Sequence, residues 1–166
     1  MSLLRIALAI LICAFGYQAS LASELTERDQ IAAECINHLA SARFDELEML
    51  VEQYTVSQER TPSGAWKLAV CYLGIQNHYT NPTEKHNADR WDRRHAILKK
   101  WREQVPESAA ARLVEAMVMI EESIQIRGSK LDSKDPIAMV RIAAKRMKQA
   151  RHHLLESKKI ASHDPH

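Results

Sequence analysis

The stretch "DPIAMVRIAAKRMKQARHHLLESKK", residues 135–159, sets Val140, Ala143, Met147, Ala150 and Leu154 alternately three and four residues apart. An α-helix turns once in about 3.6 residues, so this alternation lines the five side chains along one stripe, which reads as a packing seam. Asp135 before Pro136 supplies the start: the carboxylate can cap the first turn, and proline is tolerated where its missing N–H would be unpaired anyway. A helix over 136–159 with such a seam needs other helices to cover it.

The rest of the chain provides them. "VPES", residues 105–108, breaks the chain, and Glu107 or Ser108 opens a helix to about residue 126 with Leu113, Met117, Ile120 and Ile124 inward. Arg127-Gly128 closes it, because glycine readily takes the left-handed cap. Upstream, the polar "NHYTNPTEKHNA" (77–88) precedes a helix over 88–102 lined by Trp91, His95, Leu98 and Trp101. Near the start, a helix over 24–40 carries Ile31, Cys35 and Leu39 four apart. A second, over 44–57, carries Phe44, Leu47, Leu50, Val51 and Tyr54 on one face. Only "SAR" (41–43) separates these two, which predicts an antiparallel hairpin.

The third helix is expected to begin at "RTPSGAWKL", residues 60–68, with Thr61 as N-cap and Pro62 in the first helical position. Trp66, Ala69, Val70 and Leu73 then form its inward stripe, with Tyr72 at the border, and Gly64 marks the close approach of another backbone or a ligand. With 4 Gly, 5 Pro and no alternating β-branched run after the leader, the expectation is an all-α fold of about six helices in repeat-like antiparallel hairpins. "AWKLAVCYLGI" (65–75) meets part of the tetratricopeptide pattern of Trp, Leu-Gly and Tyr, which makes the chain tetratricopeptide-like without a full match.

The first residues put Arg5 ahead of an apolar run from Ile6 to Tyr17, followed by small residues, with Ser20 and Ala22 at −3 and −1 of a cleavage before Ser23. This pattern predicts a signal peptide over 1–22, export to the periplasm or the outside, and no transmembrane segment after cleavage. A helical domain over 23–160 and a disordered tail over 161–166 complete the expected organisation. Charge is unevenly spread: nine acids against two bases from Ser23 to Glu59, but twenty bases against twelve acids from Arg60 to His166. Such asymmetry bears on partners or self-association, although the two halves can also neutralise one another inside the fold.

Taken in order, "RFDELEMLVEQY" (43–54), "RTPSGAWKLAVCY" (60–72), a Trp-rich helix, "WREQVPESAAARLVEA" (101–116) and "IRGS" (126–129) resemble a family of uncharacterised, mostly bacterial proteins. That family carries a domain of unknown function with a Phe-Asp-x-Leu helix, a Thr-Pro-x-Gly-x-Trp-Lys-Leu motif and an Arg-Gly pair after a later helix. The resemblance covers about residues 42–157 and implies a helical fold and no known activity. Where the family has Ala-Trp ahead of the Arg-Gly pair, this chain has Ser123-Ile124.

No Gly-rich phosphate loop, His-Glu-x-x-His, Gly-x-Ser-x-Gly or Cys-x-x-Cys occurs, so no catalytic residue, metal or cofactor is implied. Ser63 near a helix start reads as capping rather than a nucleophile, and His78, His86 and His95 lack the spacing of a zinc site. Glu115, Glu121 and Glu122 read as a solvated helix face rather than an acid/base pair, although Glu115 and Glu122 share one side. The basic residues of the fourth and sixth helices, Arg94 and Arg146 among them, resemble a nucleic-acid footprint in number, but export and interspersed acids argue against nucleic acid. Cys35 and Cys71 either form a disulfide or remain two buried thiols.

Arg60, Lys67 and Arg127 are charged residues fixed beside structural punctuation; either they share a structural role, such as hydrogen bonds from Arg127 to the loop before the third helix, or they are the candidate binding residues. The function expected is binding of a protein or peptide partner in a groove between helices. The alternatives are a small-anion-binding or enzymatic pocket built from Arg60, Lys67, Arg127 and Glu115, or a purely structural envelope protein.

Overall fold

The computed structural model describes residues 24–78, 88–128 and 135–161, which form six α-helices and no strand among them. In chain order they are α1 (24–40), α2 (Phe44–Ser57), α3 (Lys67–Asn77), α4 (Ala88–Gln104), α5 (Ala109–Gly128) and α6 (Pro136–Ala161). The fold is all-α. The signal peptide expected over 1–22, the polar connection 79–87 with His86, and residues 162–166 of the tail lie outside the described residues, whereas Ala161 ends α6.

α1 and α2 follow the periodicity of their sequences, with Ile31, Cys35, Leu39, Phe44, Leu47, Val51 and Tyr54 all buried. Ala42, at φ 53, turns the chain between them, and its N–H donates to Leu39 O while that of Arg43 donates to His38 O. α1 and α3 run in opposite directions, since Cys35 pairs with Cys71 and Ala32 meets Gly74. Leu98, Trp101, Ala111, Val114 and Val118 extend the same core through α4 and α5.

"RTPSGAWKL" does not start a helix. α3 begins at Lys67, and residues 59–67 close on themselves instead: Lys67 N–H donates to Glu59 O (2.9 Å), Thr61 N–H to Ala65 O (2.8 Å) and Gly64 N–H to Thr61 O (2.8 Å). The reason lies 37 residues upstream, where the Glu24 carboxylate accepts the Thr61 hydroxyl (2.7 Å), and also the Ser63 hydroxyl (2.6 Å) and N–H (3.0 Å). Thr61 is thus buried as an anchor for α1, not used as a cap, and the Ser63 hydroxyl above all holds the Glu24 carboxyl below its usual range. Trp66 is 38% exposed rather than a core residue, with its indole N–H donating to Tyr54 O at the end of α2, and Leu73 also faces out at 47%.

The glycine that permits close approach is Gly74, not Gly64. A Cβ on Gly74 would lie 2.6 Å from Ala32 Cβ and 2.9 Å from Ala32 Cα, whereas Gly64 has open space and is instead set by its φ of +88. Gly74→Ala must push α1 from α3 across their disulfide and is expected to cost about 1 to 3 kcal/mol. Gly64→Ala is expected to cost about 1 kcal/mol through backbone strain alone. Thermal unfolding of the two variants checks this order.

α5 and α6 pair extensively and run antiparallel, because Ser123 reaches Ala143 while Glu115 reaches His153. Ser108 caps α5, its hydroxyl accepting the Ala111 N–H at 2.9 Å. The inward residues of α5 are not those expected: Val114, Val118, Glu115, Glu122, Ser123 and Ile126 are buried, while Ile124 is 54% exposed. α6 is rotated likewise. Ala143 and Ala150 face inward as expected, but Arg146, His153 and Ser157 complete the stripe, and Val140 (50%) and Leu154 (38%) face out.

Candidate functional site

The rotation of α5 and α6 follows from a charge arrangement that three helices share. α4 carries His95 and Arg102, α5 carries Glu115 and Glu122, and α6 carries Arg146 and His153, each pair seven residues apart. Seven residues make nearly two helical turns, so each pair lies on one face. Glu122 Oε2 accepts from His95 Nε2 at 2.8 Å and from Arg146 Nε at 2.7 Å. One pair of turns away, Glu115 Oε2 accepts from Arg102 Nε at 2.8 Å and faces His153 Nδ1 at 3.5 Å. Each buried carboxylate thereby receives one arginine and one histidine from opposite sides, with the two residue types exchanged between levels.

These glutamates are interior, which corrects their reading as a solvated face: both are about nineteen-twentieths buried. A carboxylate taken out of water must be compensated by partners, and here α4 and α6 supply them. Burial pulls the His153 pKa down, against the opposing pull of the Glu115 carboxylate. Removing one member while the others stay is the costly change. Glu122→Ala is expected to cost about 2 to 3 kcal/mol, below the range for a fully buried pair because Arg146 keeps partial access to water. Combining Glu122→Leu with Arg146→Met and His95→Leu is expected to recover most of that loss. Urea unfolding of the two proteins checks it, and equal loss in both would contradict the pairing.

The predicted binding residues do not converge. Lys67 binds Glu27 of α1 (3.1 Å) and Glu59 (3.0 Å), and Arg60 donates to Gly64 O at 2.8 Å, so both serve the closed 59–67 loop. Arg127 stands exposed near the end of α5, with no hydrogen bond or ion pair to either of them among the described residues. Glu115 is occupied by Arg102 and His153, which takes away the carboxylate an anion or enzymatic pocket with those cations would use. Arg94, one of the basic residues counted toward a surface footprint, is 1% exposed. Its guanidinium lies 5.2 Å above the Trp91 ring and donates to the Ile75 and Gln76 carbonyls, so a cation closes the negative end of α3. Of the three histidines considered as ligands, His95 is engaged by Glu122, and no described group of three or more His, Cys, Asp or Glu side chains could hold a metal ion.

With its polar stripe turned inward, α6 leaves Val140 and Leu154 of the expected seam exposed and Met147 half-buried. Met147 and Leu154 line a groove of about 470 Å³ against α5, floored also by Ile120 and Ala150 and edged by Arg127, Lys148 and Arg151. Arg127 therefore does meet a concave surface, though not with Arg60 or Lys67. A second groove of about 470 Å³ lies along α1 and α2, where Met49 (70% exposed) and Val56 (76%) stand among Glu34, Glu46 and Glu52. Sequence reading missed both grooves; the one between α5 and α6 depends on which side of each helix is inward. The seven-residue match between 95/102, 115/122 and 146/153 was a usable signal for that rotation.

No helix among the described residues is long and apolar enough to cross a membrane. No protein-family model, curated protein or solved structure matches the chain.

Proposed function

We propose that this chain is an exported helical binding module that takes a helical segment of a protein or peptide partner in the groove between α5 and α6. The observation that carries this reading is the apolar ridge of α6, with Val140 and Leu154 exposed and Met147 half-buried, beside three cations with no acid among the groove's lining residues. An apolar strip repeating every seven residues suits a helix laid in a groove, and the cations select a partner with carboxylates beside its apolar face. Export is supported by the leader-like residues 1–22 and by the Cys35–Cys71 bond, which an oxidising compartment maintains.

Placing the photo-cross-linking residue benzoylphenylalanine at Met147 of the full chain in its native host tests the groove. A discrete adduct is expected on illumination from position 147 and not from Lys99, an exposed position on α4. Equal labelling from both positions, or none from 147, would contradict the reading.

A further inference from the structure

We infer that the occupant of the α5–α6 groove is α2 of a second copy of this chain. The inference rests on the groove being a binding site and names what fills it. Two surfaces on the molecule are complementary in chemistry and spacing. The α2 face presents Met49 and Val56 seven residues apart, flanked by Glu46 and Glu52, and its groove lining contains three acids and no base. The receiving groove presents Met147 and Leu154, also seven residues apart, and its lining contains three bases and no acid. On both helices seven residues rise about 10.5 Å, so two apolar knobs of one copy can meet two of the other in register while opposite charges flank the contact. The two linings hold three of the acids that lie before residue 60 and three of the bases that lie after it.

The contact joins unlike faces, so each bound copy still offers one free acidic and one free basic surface. It is heterologous, and it propagates into an open chain or closes into a ring. A patch this small binds weakly, and its charges make it sensitive to salt.

Sedimentation velocity of the full chain over a concentration series tests the inference. Self-association is expected to weaken about tenfold or more between low salt and 0.5 M salt. Lys148→Glu with Arg151→Glu, and separately Glu46→Lys with Glu52→Lys, are each expected to weaken it at least tenfold. The four changes in one chain are expected to restore it, because the charges are then exchanged rather than lost. All of these positions are exposed or half-buried at the surface, and circular dichroism confirms folding of each variant. A chain that stays monomeric at every concentration at low salt, or a fourfold variant that fails to regain association, overturns the inference. If the Met147 adduct then contains a different protein, the groove remains a binding site and only its assignment to a second copy fails. If Met147 gives no adduct, both fail.

Discussion

Trp101→Ala is expected to lower the unfolding free energy by about 3 to 5 kcal/mol, the largest loss of any single substitution considered. Trp101 is fully buried and lies parallel to Phe44 of α2, with ring centroids 6.4 Å apart. Its indole N–H donates to Glu48 Oε1 at 2.6 Å. Burial already raises the Glu48 carboxyl above its usual range, so deletion both opens a cavity and strips a polar group of a donor. Trp101→Phe keeps most of the ring and is expected to cost clearly less. Urea unfolding with an unchanged denaturant slope checks the pair; a loss under about 1 kcal/mol for the alanine variant would show that α2 and α4 are not joined through this residue.

The second large effect is expected from the disulfide. Cys35 and Cys71 have Cα atoms 5.7 Å apart and enclose a sequence separation of 36 residues. Opening a loop of that length is expected to cost about 4 kcal/mol by restoring freedom to the unfolded chain. Reductant should therefore shift the urea midpoint of the parent to that of a Cys35→Ala, Cys71→Ala variant, and should leave the variant unmoved. Equal midpoints for the parent with and without reductant would contradict this. Because the bond joins α1 to α3, and Glu24 and Glu27 of α1 also hold the 59–67 loop, its loss should expose that loop to proteolysis first.

What the sequence revealed depended on how local the determining contacts are. The α2 bounds and the stripe Ile31, Cys35, Leu39 could be read directly, since each is fixed by apolar spacing within one helix. Thr61-Pro62 carried good local signals for a helix start, yet Glu24, distant in sequence, takes the Thr61 and Ser63 hydroxyls and holds the segment as a turn. On α5 and α6 apolar spacing alone misleads: Ala143 and Ala150 are inward, but Ile124, Val140 and Leu154 are not. Arg146 and His153 turn toward α5 while Val140 and Leu154 face out, since the buried carboxylates of Glu115 and Glu122 need their donors more than the core needs two further apolar groups. The candidate cations Arg60 and Lys67 belong to loop architecture, and of the three only Arg127 reaches a groove.

Everything proposed for the groove depends on which side of α6 faces α5. Thermal unfolding of a Val140→Glu, Leu154→Glu variant decides it most directly, since an outward ridge accepts carboxylates at little cost while an inward seam does not. A melting temperature within about 3 °C of the parent is predicted, as for surface substitutions generally. A fall of more than about 10 °C would place Val140 and Leu154 in the interior and contradict both the inward charge arrangement and the open groove.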